Sequence, residues 1–139
     1  MPIVFDASVA LSLAFADERS VHTEAIVDRV VADGAIVPAH WPAEIASGLL
    51  SGERRGRIAP HTSDRFLLDL SSMSIRMKVP PPDDSCALML SIGREQTVSA
   101  YDAAYLHLAM SESLPLATFD RNLRRAARGL GLDVLPAEY

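Results

Sequence analysis

The chain has a single cysteine, a single lysine and no long apolar run. Cys86 can form no internal disulfide and has no Cys or His partner at a spacing typical of zinc ligands, so we interpret it as a small buried hydrophobic residue. No apolar stretch approaches the roughly 20 residues that a transmembrane helix needs. The amino terminus lacks the pattern of a signal peptide. These absences predict a cytoplasmic protein that does not enter a membrane.

Length and composition predict one globular domain over residues 1–139, because 49% of the residues are hydrophobic and 22% are charged. The net charge of −5 does not by itself indicate a nucleic-acid binder. The basic residues are nearly all arginine, however, and they form two clusters: Arg54, Arg55 and Arg57, and Arg121, Arg124, Arg125 and Arg128. Each cluster is a candidate for phosphate contact, and a solvated helix face explains each equally well.

Short apolar segments alternate with longer helical patterns along the whole chain. Strands are predicted at 2–5, 35–38, 75–79, 114–118 and 132–135. Helices are predicted at 7–15, 20–33, 40–52, 60–73, 83–96, 101–113 and 120–130. This alternation is typical of an α/β layered fold with a mainly parallel central sheet.

Four acidic residues, Asp6, Glu44, Asp102 and Asp120, stand where an apolar run gives way to a helical pattern. In a parallel sheet such junctions share one edge, so these side chains should meet in space. Carboxylates that face one crevice repel one another unless a hard divalent cation lies between them. Helix capping or the helix dipole explains any one of the acids, but capping would accept Ser, Thr or Asn as readily. The four together therefore favour a metal site.

The segments around these acids resemble the four acidic motifs of PIN-domain ribonucleases. They are Val-Phe-Asp-Ala-Ser at 4–8, Pro-Ala-Glu-Ile at 42–45, Ser-Ala-Tyr-Asp-Ala-Ala-Tyr-Leu at 99–106 and Leu-Ala-Thr-Phe-Asp at 116–120. The closer likeness is to the VapC-type toxins of bacterial toxin–antitoxin modules, and it covers essentially the whole chain. The resemblance implies a three-layer α/β/α sandwich.

By this resemblance, the four acids are the catalytic and metal-binding residues, and Ser8 and Thr118 are supporting hydroxyls. Asn122 stands where some relatives carry a further acid. The expected activity is a Mg²⁺- or Mn²⁺-dependent endoribonuclease in which metal-activated water attacks the phosphodiester. The resemblance also implies a homodimer that a small cognate antitoxin inhibits.

Two other functions remain open. A PIN-like protein that cuts DNA, or one that has lost activity, would keep the same fold. A non-catalytic module with an acidic phosphate-accepting pocket is a further alternative, although the only lysine, Lys78, lies mid-chain rather than after a late strand. No Gly-x-Ser-x-Gly elbow or glycine-rich phosphate loop is present.

Trp41 and Tyr101 lie near two of the acids and are candidates for base stacking, with core or rim packing as the commoner role.

Overall fold

The computed structural model describes residues 1–139 and contains one five-stranded sheet in the order β3-β2-β1-β4-β5. The strands are β1 (Ile3–Phe5), β2 (Ala35–Val37), β3 (Ile75–Met77), β4 (Leu116–Ala117) and β5 (Val134–Leu135). Every neighbouring pair is parallel, and Val4 of β1 is in register with Ile36 on one side and Leu116 on the other. The predicted parallel sheet is confirmed.

Seven helices surround this sheet. They are α1 (Ala7–Ala14), α2 (Val21–Asp33), α3 (Trp41–Arg54), α4 (Pro60–Ser71), α5 (Pro82–Gln96), α6 (Ala100–Glu112) and α7 (Arg121–Gly129). They form two groups: α1 contacts α2, α3 and α4, whereas α6 contacts α5 and α7. None of them combines the length and apolar character that a bilayer span requires. The arrangement is the predicted α/β/α sandwich.

Local sequence signals account for the helix ends. Ser20 and Thr23 form a reciprocal capping box at the start of α2, and Gly34 ends that helix with a φ of +84°. Proline in the first turn begins α3, α4 and α5, where its missing N–H leaves no helical hydrogen bond unmade. These signals explain why the observed bounds lie within a few residues of the predicted ones.

Strand β1 lies at the centre of the core. Its three residues are fully buried because helices cover both faces of the sheet, which is why the strand reads as a continuous apolar run. Tyr105 and Leu106 of α6 are also fully buried, and α6 packs directly on β1. The central strand β1 is therefore packed on both faces, and Asp6 directly follows it.

Glycine lets α3 approach α1 closely. A Cβ atom at Gly48 would lie 2.5 Å from Leu11 Cδ1, and one at Gly52 would lie 2.5 Å from Phe15 Cε1. Glu44 stands four residues before Gly48, so it lies on the same stripe of α3 as the two glycines. The close packing of α3 on α1 thus directs Glu44 toward the start of α1.

The structure contradicts the predicted burial of several apolar residues. Cys86 is exposed, contrary to its interpretation as a buried residue. The apolar periodicity of the sequence also predicts that Val21 and Val31 of α2 and Leu50 of α3 face inward, and all three are exposed. In α5 only Ser85 and Ile92 are buried, because α6 is its main packing partner and covers a single face. The apolar pattern around Cys86 therefore lies largely on the outside.

Candidate active site at the carboxyl edge of the sheet

The chain order reverses between β1 and β4. From β1 it runs outward through β2 to β3, and later returns to place β4 and β5 on the other side of β1. In open parallel sheets ligands bind at this switch point, outside the carboxyl ends of the strands. Asp6 directly follows β1, and Thr118 directly follows β4. The sheet topology thus brings together residues that are 112 positions apart in sequence.

Asp6 is buried, with 5% of its surface exposed, and it does not cap α1 with its side chain. Its Oδ2 instead accepts hydrogen bonds from Ser8 Oγ and from Thr118 Oγ1, both at 2.6 Å. Burial raises the pKa of Asp6, the two hydroxyls oppose this effect, and Glu44 and Asp120 raise it further. The carboxylate is therefore fixed in place without serving the helix, which argues against the capping explanation for Asp6.

Thr118 and Ser8 connect β4 to the start of α1. The Thr118 hydroxyl donates to Asp6 and accepts from the backbone N–H of Asp120 at 3.1 Å. Ser8 Oγ likewise donates to Asp6 and accepts from the Phe119 N–H at 3.1 Å. Each hydroxyl thus uses both its donor and an acceptor position. Their placement agrees with the supporting role predicted for them.

Glu44 is held by Tyr105, a residue that the sequence did not single out. The Tyr105 hydroxyl donates to Glu44 Oε1 at 2.5 Å and accepts from the Ala7 N–H at 3.3 Å. His40 Nε2 lies 3.2 Å from the same Oε1, but its orientation does not make an aligned hydrogen bond. Burial works to raise the pKa of Glu44, yet the contacts with His40 and Tyr105 outweigh it and lower that pKa. Glu44 therefore remains ionised.

Asp102 is half-buried in the first turn of α6. Ser99 Oγ caps the helix by accepting from the Asp102 N–H at 3.1 Å, but the carboxylate does not return the bond to Ser99. Only half of a capping box therefore forms, and the carboxylate stays available. Burial, followed by the charges of Asp120, Asp6 and Glu44, raises the pKa of Asp102 to about 6.

Asp120 is exposed and caps α7, since its Oδ1 accepts from the Leu123 N–H at 2.8 Å. Asp120 therefore caps a helix and also lies near the other acids, because its charge raises the pKa of both Asp6 and Asp102. Asn122 turns to other partners: its Oδ1 accepts from Arg125, and its Nδ2 donates to the carbonyl of Thr97. It is not directed at the acids.

The four acids influence one another electrostatically, but they do not form a closed cage. After burial, the charges of the other three acids raise the pKa of Asp102, so all four acids lie in one neighbourhood. No three His, Cys, Asp or Glu side chains are close enough together to form a ready-made metal site. Like charges oppose closer approach, so a cation would draw the carboxylates inward. The hydroxyls of Ser8, Thr118 and Tyr105 hold these carboxylates, and such an oxygen-rich set fits a hard divalent ion and not a thiophilic one.

These pKa directions have a consequence for stability. Asp6 and Asp102 have raised pKa values in the folded chain, so below the folded pKa the folded state binds more protons than the unfolded state. Without a cation, stability should therefore fall as the pH rises from about 4 to about 6, the interval between the ordinary pKa and the raised pKa of Asp102. Above that interval the full repulsion remains.

The two arginine clusters behave differently from each other. Arg57 pairs with Asp17 and Glu18 and covers the Phe15 ring, whereas Arg54 and Arg55 remain exposed. In the second cluster Arg124 is buried and donates to the carbonyl oxygens of Thr118 and Pro136. Arg125 and Arg128 donate to the backbone carbonyls of Gln96 and Ala137, respectively. Only Arg121 of that cluster, exposed beside Asp120, is left to face a ligand.

Tyr105→Phe should test whether the buried phenol positions Glu44. Burial and the charges of Asp6 and Glu44 raise the pKa of Tyr105 far above its usual range, so the phenol always acts as a donor. Losing that bond should slow turnover about tenfold and raise the divalent-ion concentration needed for half-maximal activity, while the far-UV spectrum stays unchanged. Tyr139→Phe, which alters an exposed tyrosine, is the matched control. A Tyr105→Phe protein with the ion requirement of the wild type would show that the phenol is only structural.

An acid-lined crevice at the switch point of a parallel α/β sheet suits metal-dependent nucleases and phosphate-accepting modules alike, and a family match distinguishes between them. The family model described as PIN domain matches residues 3–129. The chain therefore belongs to the PIN domain family, a nuclease superfamily whose members typically use divalent metal ions.

Solved structures share the fold. The crystal structure of PAE2754 from Pyrobaculum aerophilum aligns with a TM-score of 0.71 and 25% identity, covering 96% of this chain and 83% of that one. The crystal structure of FitAcB from Neisseria gonorrhoeae aligns with a TM-score of 0.65 and 18% identity, covering 97% of both chains. None of the curated proteins matches the chain. The two structures support the architecture described above.

Proposed function

We propose that this PIN domain is a metal-dependent endoribonuclease and the toxin of a toxin–antitoxin module. The observation that carries the nuclease proposal is the state of Asp6. Its carboxylate is buried at the switch point, is held by two hydroxyls and caps nothing, and burial together with the charges of Glu44 and Asp120 raises its pKa. A buried carboxylate that has no cationic partner is costly unless a ligand compensates its charge.

The residues present fit Mg²⁺ or Mn²⁺, which Asp6, Glu44, Asp102 and Asp120 would hold through their carboxylate oxygens. When bound, such an ion lowers the pKa of water for attack on phosphorus and offsets the charge that develops on the phosphate. Burial and then the charges of Asp120, Asp6 and Glu44 raise the pKa of Asp102, and a bound cation would offset the part that is due to those charges. Both effects depend on carboxylates that are ionised and fixed before the substrate arrives.

The protein side chains orient these acids and do not themselves attack the substrate. Ser8 and Thr118 fix Asp6, and Tyr105 fixes Glu44. No serine or cysteine is paired with a histidine base at the crevice. The nearest histidine, His40, lies against Glu44, with 3.2 Å between Nε2 and Oε1. Water is therefore the proposed nucleophile, with Arg121 as the exposed cation nearest to Asp120 in sequence.

Incubating the protein with total cellular RNA, with and without Mn²⁺, tests this proposal. Attack by water leaves a 5′-phosphate and a 3′-hydroxyl, whereas attack by the neighbouring 2′-hydroxyl leaves a cyclic phosphate. We expect 5′-phosphate ends, and we expect an RNA with one 2′-deoxy residue at the cut to be cleaved, though more slowly. A DNA oligonucleotide of the same sequence is the comparison substrate. Cyclic-phosphate ends, or faster cleavage of the DNA, would overturn the assignment.

The toxin role rests on the four motifs and their likeness to VapC-type proteins. The same likeness supports a homodimer and a small antitoxin partner, and the exposed Arg54 and Arg55 are candidates for contact with RNA or with the antitoxin. The apolar side chains Leu67, Leu68 and Leu88 on the outer faces of α4 and α5 offer surface for protein contacts.

Expression of the chain alone in a bacterial host should arrest growth. Co-expression of the small protein encoded next to it should restore growth, because a bound antitoxin removes the active nuclease. The measurement is growth after induction, with the Asp102→Asn variant as the control for activity. Normal growth at high levels of soluble protein that is active on RNA in vitro would contradict the toxin role and leave the nuclease assignment intact.

A further inference from the structure

A largely apolar cavity of about 320 Å³ lies beside the acids and has no part in the chemistry described so far. It lies between the turn after β2, the proline segment after β3, and helices α5 and α6. Its walls include Val79, Pro80, Met89, Ala104 and Leu108. The volume is at the lower end of the range for small-molecule sites, which suits one planar group better than an extended ligand.

Two residues belong to both the cavity and the surroundings of the acids. His40 lines the cavity, and its Nε2 lies 3.2 Å from Glu44 Oε1. Tyr101 also lines the cavity, stands next to Asp102 in α6 and leaves 66% of its surface exposed. The two rings are 5.3 Å apart and form an aromatic edge to the cavity. A ligand in the cavity would therefore extend directly toward the acids.

The lining contains no acidic residue, although the chain as a whole is acidic. Its polar groups are instead basic or neutral, and they include His40, His107 and Lys78, the last of which is paired with Glu112. His40 Nε2 lies 3.2 Å from Glu44 Oε1, so the imidazole of His107 is a polar group of the lining that the acids do not use. A ligand with hydrogen-bonding atoms along its edge could pair with His107, whereas an apolar peptide side chain could not.

We propose that this cavity is a nucleobase pocket, which takes one unstacked base of the RNA next to the phosphate at the acids. The inference rests on the proposed nuclease function. Unpaired RNA bases are recognised by stacking on aromatic side chains and by hydrogen bonds to their edges. Tyr101 and the apolar walls supply the first, and His107 supplies the second. The pocket would thus select the base beside the cut, and the acids would cut any sequence presented to them.

Binding can be measured separately from cleavage. The probes are 2′-O-methyl pentanucleotides, each carrying one of the four bases at its centre, titrated in Mg²⁺ into isotope-labelled protein while the amide and methyl signals of Met89, Ala104 and Leu108 are followed. We expect at least one base to shift these signals. Ala104→Met, which fills the pocket, should remove the shifts, and Ala32→Met, on the exposed face of α2, should keep them.

Cleavage gives the second measurement. Removing the base at one position next to the cut should slow wild-type cleavage about tenfold or more, because stacking on an aromatic side chain contributes that much per base. Tyr101→Ala changes an exposed residue, so the fold should tolerate it. In this variant the abasic RNA and the intact RNA should be cleaved at much more similar rates, because the stacking contact is already absent. The abasic RNA removes the base and Tyr101→Ala removes the ring, so the two changes together test the stacking contact between them.

The outcomes separate the pocket from the nuclease assignment. Shifts at the pocket without any cleavage would support the pocket and reject the nuclease. A second outcome is cleavage that the missing base slows equally in wild type and Tyr101→Ala, together with no signal shifts for any base. That outcome would reject the pocket and keep the nuclease. Shifts caused only by a leucine-containing peptide would also reject it, since they would identify the cavity as a protein-docking site.

Discussion

Asp6→Asn and Asp102→Asn should each slow RNA cleavage by on the order of 10²- to 10³-fold, the size of effect seen when one fixed electrostatic group is lost from an active site. Asparagine keeps the size of aspartate and removes its charge. At position 6 its carbonyl oxygen still accepts from Ser8 and Thr118, and at position 102 the helix cap uses only the backbone N–H. The fold should therefore survive both substitutions, and the loss should lie in the chemistry.

Asp28→Asn provides the matched control, since Asp28 is exposed on α2, and it should cut at the wild-type rate. The measurement is the single-turnover rate on one RNA oligonucleotide, together with a far-UV spectrum of each variant. Wild-type rates in both Asp6→Asn and Asp102→Asn would end the four-acid hypothesis. A loss of rate with a lost spectrum would instead assign these acids to folding.

Mg²⁺ or Mn²⁺ should raise the melting temperature of the wild-type protein by several degrees. A ligand at about 100 times its Kd that binds only the folded state contributes about 2.7 kcal/mol, and each kcal/mol is worth about 2–8 °C for a domain of this size. The rise should be large at pH 7.5, where the carboxylates are ionised. It should be small near pH 4.5, where protons occupy Asp102, whose pKa is about 6, and neutralise it instead.

Two variants decide whether this stabilisation belongs to the acids. In Asp6→Asn the rise should be blunted, because one ligand is missing. In Asp102→Asn the ion-free protein should melt higher than the ion-free wild type at pH 7.5, since the cost of burying this charge and its repulsion with the other acids are both gone. This gain should disappear at pH 4. An equal rise with the ion in wild type and Asp6→Asn would place the ion elsewhere on the protein.

The fold and the candidate acids could both be predicted from the sequence, and one physical reason explains this. In a parallel sheet the junction after each strand lies on a common edge, so the position of an acid along the chain determines its place in space. Asp6 and Thr118 meet for this reason, even though no local pattern connects them. Capping signals such as Ser20 and Gly34 located the helix ends for a separate reason, because a cap depends only on residues within about one turn.

Contacts between helices could not be predicted in this way. Tyr105 looked like any aromatic residue of a buried helix, and only the packing of α6 on β1 and α3 brings its hydroxyl to Glu44. A signal was nevertheless present, because Tyr105 lies three residues after Asp102 and so near the same face of α6. Arg124 was grouped with a basic surface cluster, yet it is buried against carbonyls that only the folded loops provide. Cys86 fell on an outer face that its apolar neighbours did not reveal.

The carboxylate of Asp120 is shared between a helix and a crevice. Its Oδ1 accepts from the Leu123 N–H and so ties the carboxylate to the first turn of α7. An ionised carboxylate has about four lone-pair positions, so one accepted hydrogen bond leaves room for a further contact at either oxygen. The cap therefore fixes the orientation of the Asp120 side chain without using up its capacity to accept. The position of α7 thus determines the direction from which anything in the crevice meets this acid.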